Sequence, residues 1–540
     1  MISTAANSAW LASCLPEYLR FRNSLREVAR EQSSLLMAIV RRNRETEFGR
    51  QFGFASIASV AGFQHAVPLG GYESYRSFIE RAVSGSSGVL TAEAVRLFEP
   101  TGGSSGGTKL IPYTSSLQRG FGRAINTWIA DLFLHKPRLM AGTAFWSISP
   151  PGPQRRTESG IPVGFDDDSA YAGKSQQWLV RHVMAVPWRE AQVSDFEQFR
   201  RHTILRLAAS RDLRLISVWH PSYLTLLLDR IDDWAEELLR SLRDGFGIRA
   251  DRHRAAEVEH ALHAATLQQR YRRLWPRLSL ISCWSDANAA GPASQLQGLF
   301  PEVPIQGKGL IATEAFVSLP LIGHSGAALA YRSHFFEFIS QDGLVLLAHE
   351  LQPGVCYGVV VTTGGGLYRY SLGDRVEVVD RLGACPVLRF VGRESVISDR
   401  VGEKLLDAHV AAVFEKTFRE MDIKHSFAML AYDPEPSSAY SLFLESEASA
   451  KRGPEIAAAV DAGLRSNYQY DYARLLGQLG PVRVVPVLHA FARFADYAAR
   501  TGQRFGSIKV PALEPRPIWR KILADDCPPK APIDSHLNLP

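Results

Sequence analysis

Apolar side chains fall at helical spacing early in the chain, at Leu19, Leu25, Val28, Leu35, Leu36, Ile39 and Val40, and the run ends in the basic "RRNR". This predicts one or two amphipathic helices within residues 15–45, and a similar pattern predicts a helix from about Ser115 to Leu134. Short runs rich in β-branched and aromatic residues predict strands at "TAFWSIS" (143–149), "RLISVW" (214–219), "LSLISCW" (278–284) and "KGLIAT" (308–313), with helix-patterned stretches between them. Strands alternating with helices predict α/β layers. From about residue 325 the pattern shortens to "AALAYR", "FFEFIS", "GLVLLAHE", "YGVVVTT", "LYRYSLGDRVEVVD" and "PVLRFVGR", punctuated by glycine and proline, which predicts a β-rich subdomain. The last block reads as a helix (404–420), a hairpin (425–446), a helix (about 454–467) and the strand "VRVVPVL", a small α+β domain. The expected division is therefore 1–393, 394–525 and a proline-containing tail, 526–540, predicted to be disordered.

A chain of 540 residues exceeds one hydrophobic core, and 46% apolar residues suffice for two. The net charge of +6 is compatible with handling anions, but basic clusters such as "RYRRLWPR" (270–277) carry no nucleic-acid motif and read as a solvated helix end. The five cysteines lack CxxC spacing, which argues against a disulfide framework or a zinc site and fits a reducing cytoplasm. No basic start leads into an apolar run at the N-terminus, so no secretory signal is expected. The least charged long segment, 315–331, is broken by Pro320, Gly323, His324 and Gly326, so no membrane span is expected.

Candidate chemistry concentrates in a few stretches. "FEPTGGSSGGTKLIPYT" (98–114) sets bare backbone and hydroxyls before Lys109; it suits either a phosphate-cradling loop or a plain surface loop. "GLIATEAF" places Thr313 and Glu314 after a predicted strand, where α/β ligand sites lie, or as a polar strand-end pair. "GGGLYRYSLGDRVEVV" presents Tyr368, Arg369 and Asp374 on a β turn. "FVGRESVISDRVGEK" offers Arg393 and Lys404 around a hinge, and "GQRFGSIKVP" offers Lys509 between glycines. His220 is either a pocket base or a hydrogen-bonded structural histidine, while His253, His260 and His263 read as a solvated helix face rather than a metal site. No Gly-x-Ser-x-Gly elbow has the strand–turn–helix context of a nucleophilic hydrolase.

Taken in order, these stretches resemble the series found in adenylate-forming enzymes, and in particular the auxin-responsive acyl acid amido synthetase family, over nearly the whole chain. The family's phosphate loop overlays Pro100 to Lys109, and family-like phrases include "NRETEFGRQFGF", "VPLGGYESYRSFIER", "LWP", "FFEFI", "GLYRYSLGD", "NYQYDYAR" and "QRFGSIKVP". Departures are Pro100 and Gly103 in place of hydroxyl residues, Leu310 where many relatives carry an adenine-stacking tyrosine, and Asp407 in place of a glutamate.

The resemblance implies a large multi-layer N-terminal adenylating domain with its β-rich subdomain, a small α+β C-terminal lid domain, and the cofactors ATP and Mg²⁺. A carboxylic acid would be activated as its acyl-adenylate and passed to an amino acid or other amine; coenzyme A, an alcohol or a carrier as acceptor, or a nucleotide binder without turnover, stay open as alternatives. It implies that Thr101, Gly102, Gly103, Ser104, Gly106 and Thr108 contact the β and γ phosphates with Lys109 adding charge, that Thr313 bonds the α-phosphate, and that Glu314 helps hold Mg²⁺. Asp374 would take the ribose hydroxyls, Tyr368 and Arg369 would shape the nucleotide pocket, and Arg393 would bond ribose or phosphate. Lys404 would assist after the hinge, and Lys509 would reach the phosphates when the lid closes. Trp146, Ile148, Tyr171, Trp219 and Tyr223, near predicted strand ends, either line an acyl pocket or pack the core.

Overall fold

The computed structural model describes residues 2–102, 108–146, 155–164, 182–187, 196–393, 397–435, 437–501 and 508–523. The chain divides into two compact units, Met1–Ser395 with Gly502–Lys509, and Val396–Thr501 with Val510–Pro540. The 526–540 tail lies outside the described residues.

In the first unit the N-terminal amphipathic pattern forms two helices, Ile2–Asn23 and Val28–Arg42, the second burying Val28, Leu36, Ile39 and Val40. The α/β layer is a four-stranded parallel sheet in the order Thr143–Trp146, Leu213–Ser217, Leu280–Cys283, Ile305–Gly307. Its two central strands, Leu213–Ser217 and Leu280–Cys283, are the buried ones, and the edge strands are half-buried in part. Helix Ser115–His135, capped by the Thr114 hydroxyl accepting from the Leu117 amide, matches its sequence expectation.

The strand expected over 308–313 is displaced. The pairing segment is Ile305–Gly307, and the chain then turns at Gly309, whose φ of +71° is left-handed and where a Cβ would meet the Ser318 carbonyl oxygen at 2.7 Å.

The β-rich portion is a seven-stranded antiparallel sheet, ordered Val345–Leu347, Phe335–Ile339, Cys356–Thr362, Tyr370–Leu382, Cys385–Arg393, Ala327–Leu329, Ser318–Pro320. In a further four-stranded sheet the hairpin Leu97–Gly102 with Thr108–Tyr113, flanked by Pro162–Val163 and Arg155–Arg156, has a register that sets Thr101 opposite Lys109 and Gly102 opposite Thr108.

The second unit is built on a four-stranded sheet, ordered Arg483–Pro486, Ala439–Glu445, Phe427–Asp433, Leu513–Glu514. Its first helix starts at Asp407 rather than at Lys404, because Lys404 has a left-handed φ of +44° and Leu405–Leu406 pairs with Ile397–Ser398. Buried Asp407 accepts the Leu513 amide at 2.8 Å. Helix Glu447–Leu464 begins earlier than expected, under a Ser446 cap, and kinks at Arg452 just before Pro454, whose missing N–H interrupts the hydrogen-bond ladder. Cys14, Cys283, Cys356 and Cys385 are free thiols. Among the described residues no helix is long and apolar enough to cross a membrane.

Candidate active site

Glu314 sits in a tight bend closed by the Ile311–Phe316 bridge and by the Ala312 amide donating to Ala315 at 3.0 Å. The bend is held by the Tyr113 hydroxyl, which donates to the Thr313 carbonyl at 3.1 Å, while the Tyr370 hydroxyl points at Glu314 Oε1, 3.4 Å away. The Glu314 carboxylate is buried, and burial raises its pKa above the usual carboxylate range. Its own backbone N–H, Arg393 and Lys109 pull the other way, and nearby Asp374 adds to the rise.

Asp374 and Arg393 face each other across neighbouring strands, with Arg393 Nε donating to Asp374 Oδ1 at 2.8 Å. Lys109 extends from the hairpin with Nζ 5.7 Å from the centre of the Tyr72 ring, and the Tyr72 hydroxyl accepts the Leu110 amide at 2.9 Å. Lys509 belongs to the first unit; its Nζ lies 4.1 Å from the centre of the Trp284 ring. Burial first, then Arg393, push its pKa down to about 8, with Asp374 and Glu314 opposing. Two carboxylates and three cations thus share one neighbourhood.

Other expected residues stand elsewhere. Tyr368 is in the core, not in a pocket wall: its hydroxyl donates to the Leu90 carbonyl at 2.6 Å and its ring stacks on Phe48. The buried Arg369 guanidinium is held by Glu337 at 3.0 Å and by the Gln64 and Val67 carbonyls at 2.7 and 2.8 Å. Leu310 is a core side chain. Lys404 lies in the second unit, where its carbonyl accepts from Asn467. Gly103, Ser104, Gly106, Ile148 and Tyr171 lie outside the described residues. Thr101 sits on the hairpin beside them, and the backbone of Gly102 and Thr108 pairs across it.

His220 is a structural cap, its Nδ1 accepting the Ser222 amide at 3.2 Å, and burial followed by Lys509 drops its pKa to about 3. Tyr223 packs in the core of the α/β layer. His253, His260 and His263 are on an exposed helix face, and no group of three or more metal-ligating side chains occurs among the described residues.

Sequence reasoning missed Tyr370, Trp128, Trp284 and Lys308. Lys308 follows the last parallel strand, its Nζ donating to Ser217 Oγ at 2.6 Å and standing 5.1 and 5.2 Å from the centres of the Trp128 and Trp219 rings. A lone amine in the otherwise apolar and glycine-rich "IQGKGLIAT" is the signal that could have found it.

The overall fold is shared with a solved acyl acid amido synthetase, AtGH3.15 in complex with 2,4-DB, at a TM-score of 0.81 and 20% identity, covering 95% of each chain. Residues 18–305 match the GH3 family N-terminal domain, 327–393 the GH3 family central domain and 406–516 the GH3 family C-terminal domain. The chain belongs to the GH3 family. A relative from Oryza sativa subsp. japonica, a probable indole-3-acetic acid-amido synthetase (GH3.1), is 27% identical across 94% of this chain and 92% of its own. The Arabidopsis thaliana 4-substituted benzoates-glutamate ligase (GH3.12) is 22% identical across 69% of this chain and 71% of its own.

Proposed function

We propose that this chain is an ATP-dependent acyl acid amido synthetase, which joins a small carboxylic acid to an amine, an amino acid foremost. The observation that carries the reading is the gathering of Lys109, Arg393 and Lys509 around the buried pair Glu314 and Asp374.

A carboxylate repels nucleophiles and has no leaving group, so it needs activation. In the first step a carboxylate oxygen attacks the α-phosphorus of ATP and pyrophosphate leaves; in the second the amine attacks the acyl carbon and AMP leaves. Two anions must meet in the first step, and three cations on separate elements supply the opposing field from fixed positions. Arg393 orients Asp374 so that its second oxygen can take ribose hydroxyls. The hairpin register brings Gly102 and Thr108 together, so the glycine-rich segment is tethered at both ends beside Lys109. Thr313 presents its hydroxyl from a bend fixed by Tyr113.

Glu314 is a hard oxygen donor whose burial disfavours a bare carboxylate, which suits Mg²⁺, an ion that binds one or two carboxylates and takes its other ligands from phosphate and water. Bound there with ATP, Mg²⁺ would neutralise phosphate charge.

The test is pyrophosphate release with ATP and a panel of carboxylic acids, with mass identification of the acyl-adenylate when no amine is present. Lys109→Ala and Glu314→Gln should each lower turnover at least 100-fold, in the range known for lost electrostatic contacts to a transition state. ATP binding without pyrophosphate release on any acid would reject the reading.

A further inference from the structure

The carboxyl ends of all four parallel strands meet at one place. Trp146, Ser217, Cys283 and Gly307 are the last residues of their strands, and Lys308 follows directly. In parallel α/β sheets ligands bind outside these ends. Lys308 is 6% exposed, its proton affinity is lowered to a pKa of about 7 by burial, and among the described residues no carboxylate pairs with it. Among the described residues its company is the Ser217 hydroxyl, two indole faces and the nearby Cys283 thiol, and a buried amine so placed is costly unless something else completes its bonding.

Nearby donors are also incomplete. Gln306 uses Oε1 to accept the Trp128 indole N–H at 3.1 Å, which leaves its Nε2 without an acceptor; the buried Nε1 atoms of Trp146 and Trp284 likewise have none. Three donors without acceptors, beside an amine whose one bond goes to Ser217, ask for an acceptor-rich guest. The aromatic walls are continuous: Trp146 lies 5.8 Å from Trp128, Trp128 and Trp219 flank Lys308, and Trp219 lies 5.6 Å from Trp284, which carries Lys509 on its face. This wall therefore runs from the charged cluster around Glu314 to Lys308.

We propose that Lys308 is a specificity-determining residue that selects an aromatic acid bearing an oxygen acceptor, a phenol or a second carboxylate, at the end remote from the reacting carboxylate. The inference rests on the ligase reading above and deepens it. The indoles take the planar body, and Lys308 with the Gln306 amide takes the remote oxygen. The depth of Lys308 favours the acid, which must be in place first, over the amine that arrives second.

The experiment uses the full chain and two matched pairs, phenylacetate with 4-hydroxyphenylacetate and phenylacetate with 4-carboxyphenylacetate. The readouts are kcat/KM for pyrophosphate release and, with no ATP present, dissociation constants from quenching of tryptophan fluorescence. The native chain should favour the oxygen-bearing acid of at least one pair roughly ten-fold or more, because a site built around a polar group rejects the analogue that lacks it. Lys308→Met, which replaces the buried amine with an apolar chain of similar length, and Lys308→Gln should both bring that ratio to within about two-fold of one.

A ratio near one in the native chain, or a ratio unchanged in both variants, overturns the inference. So does quenching by glutamate and by none of the acids, since the amine would then be the occupant. If no acid releases pyrophosphate, the ligase reading fails, and the ratio of dissociation constants still decides for or against Lys308.

Discussion

Arg393 and Asp374 are bonded through their side chains, Nε to Oδ1 at 2.8 Å, and are also Cα partners in the seven-stranded sheet. The sheet register thus aligns the two before any ligand arrives, and the charges differ in exposure: the Asp374 side chain is 3% exposed and that of Arg393 39%.

Arg393→Ala leaves Asp374 without its bonded cation. Because Arg393 is partly solvated, the loss is screened, and the expected effect is a rise in KM for ATP of about ten-fold, about 1.4 kcal/mol. Steady-state pyrophosphate release measures it, and urea unfolding should shift by less than about 1 kcal/mol.

Arg369 and Glu337 form the opposite case, since both are buried and the guanidinium is bonded to Glu337 and to the Gln64 and Val67 carbonyls. Arg369→Met should cost about 3–5 kcal/mol of stability by stranding Glu337, and the double variant with Glu337→Leu should recover much of it. Urea titrations read both. A folded Arg369→Met with normal stability and weakened ATP binding would instead make Arg369 a nucleotide ligand.

His334 sets a pH dependence. It is buried against Phe121 and Phe336, and burial followed by Arg123 lowers its pKa to about 3. In the unfolded chain a histidine takes its proton near pH 6.5, so between about pH 6.5 and 3 the unfolded state binds more protons and stability falls as pH falls. At pH 5 this one residue should account for about 2 kcal/mol. Unfolding free energies at pH 7 and pH 5 should converge in His334→Gln relative to the native chain.

Asp407→Ala in the second unit removes the acceptor of the Leu513 amide, whose peptide is buried in the sheet. The expected loss is about 1–3 kcal/mol, with Asp407→Asn milder because an acceptor remains. Thermal unfolding followed in the two variants separates these outcomes.

The sheets and long helices were legible because burial imposes a pattern on the sequence: Leu213–Ser217 and Leu280–Cys283 are short runs dominated by leucine and isoleucine, and Ser115–His135 keeps its helical spacing. Family-type motifs pointed to the neighbourhood of Glu314, Asp374 and Arg393, which the fold does bring together. What failed was the aim of individual side chains. Arg369 has a left-handed φ of +49°, and the sheet register shifts just beyond it, so alternation could not tell that Tyr368 enters the core while Tyr370 turns to Glu314. Lys308 escaped notice because its partners, Ser217, Trp128 and Trp219, come from distant stretches that only the parallel sheet assembles.

Lys509 packs with the first unit although the residues on either side of its segment, Thr501 and Val510, are counted with the second. A gene fragment ending at Ser395 would therefore encode Lys109, Glu314, Asp374 and Arg393 yet omit one of the three amines and guanidines that surround them. Neither half of this chain can be exchanged with that of a relative as a self-sufficient cassette, because the donor of the second half also brings the final cation of the first.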